Sequence, residues 1–189
     1  MLGLLANAPA SAEEIANTAQ DNSQYEVELL VFRNGIAPTG QPDDGSASTP
    51  TAVDPQMKAA TGPRIAPLKP QDLRLGNVRS KLERLPNHEI ILHYGWSQEL
   101  QSEHAALGVP LPADVAAPGI SGVVTAFRGR FLHVALDLQV PAPEETGGYA
   151  RLRQSRRVKP GVLQYFDNPH FGAIVVLRPA GVSTTTNPN

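Results

Sequence analysis

Gly122-Val-Val-Thr-Ala-Phe127 and Phe131-Leu-His-Val-Ala-Leu-Asp-Leu-Gln-Val140 flank the short segment Arg128-Gly129-Arg130. Two β-rich runs joined by a brief turn containing glycine form a hairpin. In the second arm Leu132, Val134, Leu136 and Leu138 point one way, while Phe131, His133, Ala135 and Asp137 point the other, because side chains alternate along a strand. That pattern describes antiparallel sheet buried on one face.

Downstream, a Pro/Gly turn (141–148) leads into a strand from Tyr149 to Val158. Asp167-Asn-Pro169 then turns into Phe171-Gly-Ala-Ile-Val-Val-Leu177, whose unbroken apolar run suits a strand buried on both faces. Upstream, Tyr25-Glu-Val-Glu-Leu-Leu-Val-Phe32 alternates and then becomes continuously apolar, as a strand entering a core does. Pro70 opens a predicted helix in which Leu75, Val78, Leu82 and Leu85 form one stripe, and Pro86 stops it. Glu89 to Trp96 follows as a strand, Gln98 to Ala106 as a short helix, and Val109 to Pro118 as a connection. The predicted architecture is α+β: a mainly antiparallel sheet of about six strands, one main helix packed on a face, and a long Pro-rich insertion.

The 189 residues fit one domain. Hydrophobic residues make up 41% and charged residues 18%, which excludes an acidic disordered chain, and no run approaches the ~20 apolar residues of a membrane span. Zero Cys excludes disulfides, Cys-ligated zinc and thiol nucleophiles. Seven of the 18 Pro lie between Asn34 and Asp72, so residues 34–72 read as a flexible insertion within a single domain spanning 25–179. Residues 180–189 read as a disordered tail. Residues 1–24 read as a residual signal peptide and disordered N-terminus: Ala10-Ser11-Ala12 has the small residues of a cleavage site, so export and cleavage after Ala12 are expected. The net charge of −2 argues against a nucleic-acid binder. Charge is nevertheless uneven: from Gly122 onward 8 Lys+Arg face 4 Asp+Glu.

The chemistry-bearing residues form no catalytic signature. His88, His93, His104, His133 and His170 make no H-x-x-x-H, H-x-E or H-E-x-x-H element, and no nucleophile elbow or phosphate loop is present. His133 and Asp137 share a strand face, but about 13 Å of extended chain separates them. The segment Tyr149-Ala-Arg-Leu-Arg-Gln-Ser-Arg-Arg-Val158 is more informative. It puts Tyr149, Arg151, Arg153 and Arg157 on one face. Guanidinium forks recognise carboxylates, and a Tyr ring stacks on sugar or peptide. The competing reading is a solvated strand whose charges block edge aggregation. Arg156, on the apolar side, calls for a buried carboxylate, with Asp167 as the predicted partner.

Several segments together resemble the CsiV family of bacterial peptidoglycan-binding proteins. Tyr25 to Asn34 is similar to its first strand, and Leu73 to Leu85 followed by Ile90-Ile-Leu-His-Tyr-Gly-Trp-Ser-Gln98 to its helix and LLH-x-x-W-x-Q strand. Gly129-Arg-Phe-Leu-His133 resembles RYLH, Gln154-Ser-Arg-Arg157 resembles QSRRM, and Leu163 to Val175 resembles LHYLDHPxFGVLV. Phe131 stands where Tyr is usual, and Gln164 and Asn168 where His is usual. The resemblance implies a periplasmic, non-catalytic accessory factor that binds peptidoglycan and supports cell-wall assembly, without cofactor, metal, nucleic acid or membrane span. Cell-wall synthase machinery or its lipoprotein activator is a further expected partner. Tyr149, Arg151, Arg153 and Arg157 are the expected ligand contacts, with His133 and Trp96 as contributors; for Trp96 and His93 a core or structural role is the favoured reading. An envelope protein–protein adaptor without glycan contact and a weak cell-wall hydrolase are the alternatives.

Overall fold

A computed structural model describes residues 24–34, 64–142 and 147–181. The expected cleavage site after Ala12, most of the Pro-rich insertion and residues 182–189 of the tail lie outside the described residues. The strands are β1 (Gln24–Asn34), β2 (Ile65–Pro67), β3 (His88–Glu99), β4 (Val109–Pro110), β5 (Ser121–Arg128), β6 (Leu132–Pro141), β7 (Tyr149–Val158), β8 (Gln164–Asn168) and β9 (Phe171–Pro179). They form two sheets, ordered β2-β3-β1-β9-β8 and β4-β5-β6-β7, with antiparallel pairing throughout.

One six-stranded sheet with a helix on its face is thus corrected to a two-sheet sandwich. The physical reason lies in two kinds of strand. β6 alternates strictly between buried and half-buried residues, so the four-stranded sheet needs cover on one face only. In β1, by contrast, Val27, Leu29 and Val31 face the four-stranded sheet in the main core, whereas Leu30 faces the opposite way. A strand apolar on both faces must be covered twice. The second sheet covers one side; Leu75, Val78 and Leu82 of the helical segment cover the other, against Leu30, Ile174 and Val176.

The helical segment is also shorter than its leucine stripe implies. Pro70–Asp72 is a single 3-10 turn, and α1 spans Gly76–Leu82, leaving Leu85 48% exposed. Gly76 and Asn77 are poor helix formers, and the chain entering α1 is held by a side chain from another element. The Glu28 carboxylate of β1 accepts the backbone N–H of Arg74 (2.9 Å) and of Leu75 (2.7 Å). Two further differences follow from pairing. The predicted short helix at residues 98–106 does not form: Gln98 and Glu99 finish β3, with Gln98 pairing to both Tyr25 and Ile65, and the rest is an isolated bridge from Gln101 to Phe127 followed by a turn. Within the Pro-rich stretch, Ile65–Pro67 adds to the edge of β3 as β2.

Glu28 is fully buried on the helix-covered face. His93 Nε2 on β3 donates to it at 2.8 Å and Arg178 Nη2 on β9 at 2.9 Å. Burial by itself would raise its pKa. The hydrogen bonds from His93, the two backbone amides and Arg178 outweigh that effect and lower it from 4.5 to about 2. A carboxylate depressed on folding contributes stability that is complete above pH 4.5 and disappears as the pH falls towards 2, worth about 3 kcal/mol by linkage. Urea denaturation across that range should show the loss. Glu28→Gln should remove about 3–5 kcal/mol at neutral pH, since it leaves the Arg178 charge without its principal partner. A neutral effect would mean that the ion cluster is incidental to the fold.

Candidate functional site

The helix covers the outer face of the five-stranded sheet, whereas the outer face of the four-stranded sheet is formed by partly exposed residues of β5, β6 and β7. Its composition follows from register. His133 lies opposite Phe127 on one side and Arg157 on the other; Ala135 opposite Thr125 and Ser155; Asp137 opposite Val123 and Arg153; Gln139 opposite Ser121 and Arg151; Pro141 opposite Tyr149. Tyr149, Arg151, Arg153, Arg157 and His133 therefore share one face, as their spacing predicts. The small side chains of Thr125, Ala135 and Ser155 form a low strip across the three strands, with an aromatic and arginine row on one side and an aspartate and arginine row on the other.

The arginine row is organised by a carboxylate on the neighbouring strand. Arg151 Nε and Nη2 donate to the two oxygens of Asp137 at 2.8 and 2.7 Å, a bidentate fork that raises the guanidinium pKa further above its ordinary value. Arg153 Nε lies 3.9 Å from the same carboxylate with its side chain 78% exposed. Arg157 has no ion-pair partner among the described residues; its Cζ lies 3.3 Å from the centre of the Phe131 ring. Arg130 approaches the same ring, with Cζ 5.5 Å from the centre, so two guanidinium groups lie close to Phe131 at the hairpin tip. His133 stacks on Phe127 with ring centres 4.9 Å apart, and its Nδ1 is 3.2 Å from the Phe131 carbonyl.

Trp96 is not on this face. It is fully buried between the sheets, stacked on Tyr94 with centres 5.5 Å apart, and its indole N–H donates to Gln98 Oε1 at 2.6 Å. His93 serves Glu28. The residues of the LLH-x-x-W-x-Q strand thus perform structural tasks on both faces of β3.

Arg156 corrects another expectation. It is exposed, and its partners are the Tyr165 carbonyl (2.7 Å) and Gln154 Oε1 (3.0 Å) rather than the Asp167 carboxylate. Asp167 instead accepts from the Tyr165 hydroxyl. Arg156 sits at the margin where β7 meets β8, the edge strands of the two sheets. There its guanidinium lies over Phe166, Gln154 Nε2 donates to the Asp167 carbonyl, and Asn168 Nδ2 donates to the Arg151 carbonyl. Side chains thereby occupy backbone acceptors that open edges expose.

Alternation along the second hairpin arm already places Phe131 and Asp137 on the outward face with His133; their meeting with the arginines of β7 is what spacing along one strand does not supply. For Phe131 the new fact is the Arg157 guanidinium over its ring. Asp137 becomes relevant once β6 and β7 are known to be neighbours. No group of three or more His, Cys, Asp or Glu able to hold a metal is present among the described residues.

An antiparallel sandwich with one helix-covered sheet and one arginine- and aromatic-bearing face defines a β-sandwich domain. The chain belongs to the CsiV family: the family model, described as peptidoglycan-binding protein, CsiV, matches residues 2–180. No curated protein and no solved structure matches it. The family description suggests peptidoglycan binding, hence a place outside the cytoplasm. Among the described residues no helix is long and apolar enough to cross a membrane.

Because Asp137 and Arg151 are partly exposed, Asp137→Ala should change the unfolding free energy by no more than about 1 kcal/mol. Urea titration measures this, and a larger loss would make the pair a structural element of the sheet rather than part of its surface.

Proposed function

We propose that the protein is a non-catalytic periplasmic accessory factor that binds peptidoglycan through the outer face of β5–β7 and so supports cell-wall assembly. The match of residues 2–180 to a peptidoglycan-binding family carries this reading. The chemistry of the face supports it. Stem peptides of peptidoglycan carry free carboxylates, for which Arg151, Arg153 and Arg157 are suitable forks. Tyr149 at one end of the row and Phe131 at the other offer rings against which a sugar or peptide can lie. His133 contributes from the central strand, while Trp96 acts through packing. The low strip at Thr125, Ala135 and Ser155 leaves room for a chain lying across the strands. Cell-wall synthase machinery or its lipoprotein activator is the protein partner consistent with an accessory role.

Purified protein should pellet with isolated sacculi at physiological salt, and less so as salt rises, because exposed charges are screened. Changing Arg151, Arg153 and Arg157 together to Ala should weaken pelleting roughly tenfold, each exposed contact being worth up to about 1 kcal/mol, with little change in melting temperature. No pelleting of the wild type rejects direct binding, and full pelleting of the triple variant moves the site off this face. Muropeptide release from the sacculi by pure protein would overturn the non-catalytic part.

A further inference from the structure

At one end of the sandwich, strand termini from both sheets line a cleft of about 340 Å³: Arg33 and Asn34 of β1, Asn87, His88 and Glu89 at the start of β3, Pro141 of β6, and His170 just before β9. That volume falls within the range of small-ligand sites, and the lining is richer in hydrogen-bonding groups than a packing defect requires.

Arg33 is loosely engaged. Its Nη1 donates to the Pro141 carbonyl over 3.3 Å, and its buried Nε makes no hydrogen bond. The Glu89 carboxylate stands 3.4 Å from Nε on a side chain 69% exposed, a contact that an incoming anion can displace. A half-buried guanidinium with long, poorly directed partners has donor capacity to spare.

His88 is held more firmly. Its Nδ1 lies 3.1 Å from the Pro86 carbonyl, and a carbonyl only accepts, so in the neutral ring Nδ1 carries the proton and Nε2 is left as an acceptor. The ring also stacks on Phe32, which in turn stacks on Tyr165, with centres 5.7 and 6.3 Å apart. Gly172 makes this stack possible: a Cβ there would come within 2.6 Å of the Phe32 ring and 2.8 Å of the Tyr165 ring. On the opposite wall, the His170 turn is pinned by its own N–H donating to Asn168 Oδ1 and by its carbonyl accepting the Asn34 N–H.

We propose that this cleft binds the free C-terminal carboxylate of a short peptide. The carboxylate takes the Arg33 fork in place of Glu89, and the amide N–H of the terminal residue donates to His88 Nε2. A peptide C-terminus offers an anion and a neighbouring donor on one residue, matching the fork and the acceptor present here. The proposal rests on the peptidoglycan reading only for its favoured ligand source, a stem peptide. Pro141 pairs across the sheet with Tyr149, so the cleft adjoins the Tyr149 end of the arginine face.

NMR titration with acetyl-Lys-D-Ala-D-Ala tests this on the full chain, with the C-terminal amide and the all-L acid as the other arms. Resonances of Arg33, His88 and His170 should move with the D-acid, and the amide should bind roughly tenfold more weakly, the loss expected for one charged hydrogen-bonding partner. Arg33→Gln should abolish the response. Glu89→Gln, at an exposed position that leaves the fold intact, should tighten binding by removing the internal competitor. Stronger binding of the all-L acid supports the site and identifies protein C-termini as its source. Equal binding of acid and amide, or unchanged affinity in Glu89→Gln, overturns the proposal. Wild-type protein that pellets with sacculi but ignores every acid peptide rejects the cleft and leaves the peptidoglycan reading standing; acid-peptide binding without pelleting does the reverse.

Discussion

A single buried carboxylate ties the layers together. Glu28 reaches from β1 to backbone amides ahead of α1, to His93 on β3 and to Arg178 on β9. An isolated charge at full burial would cost several kcal/mol, so this one persists only because donors surround it. Those donors come from separate parts of the chain, and Glu28 can be satisfied only when the central strands and the covering segment are all in place. The cluster thereby ties the register of the five-stranded sheet to the position of the segment that covers it.

That arrangement determines which sheet face stays uncovered among the described residues. With one sheet covered by α1 and its approach, and the inner faces buried against each other, the outer face of β5–β7 presents a broad layer of polar and aromatic side chains. Its arginines coexist because β6 supplies Asp137 among them and the hairpin turn supplies Phe131. At the side, Arg156, Gln154 and Asn168 bond the edges of β7 and β8 to each other.

Much of this was legible along the chain. The hairpin at Arg128–Arg130, the inward set Leu132, Val134, Leu136 and Leu138, and the bounds of β7 follow from alternation and turn composition. The number of sheets did not, although its signal was present: β1 and β9 are apolar on both faces, whereas β6 is apolar on one. Residue spacing shows that a strand needs a second cover without showing whether a helix or another sheet provides it. The leucine stripe overstated α1 because periodicity ignores an entry point held by a carboxylate 46 residues away.

The same division runs through the site. Sequence alone determined that Tyr149, Arg151, Arg153 and Arg157 share a face, because strand geometry is local and repeats every two residues. Membership of the family was likewise readable from segments in order. Only tertiary structure decided that Arg156 binds the Tyr165 carbonyl and Gln154, that Asp137 organises the arginines, and that Arg33, His88 and His170 line one cleft. Each of those outcomes depends on contacts between residues distant in sequence, and such contacts exist only after the strands have paired and the sheets have packed.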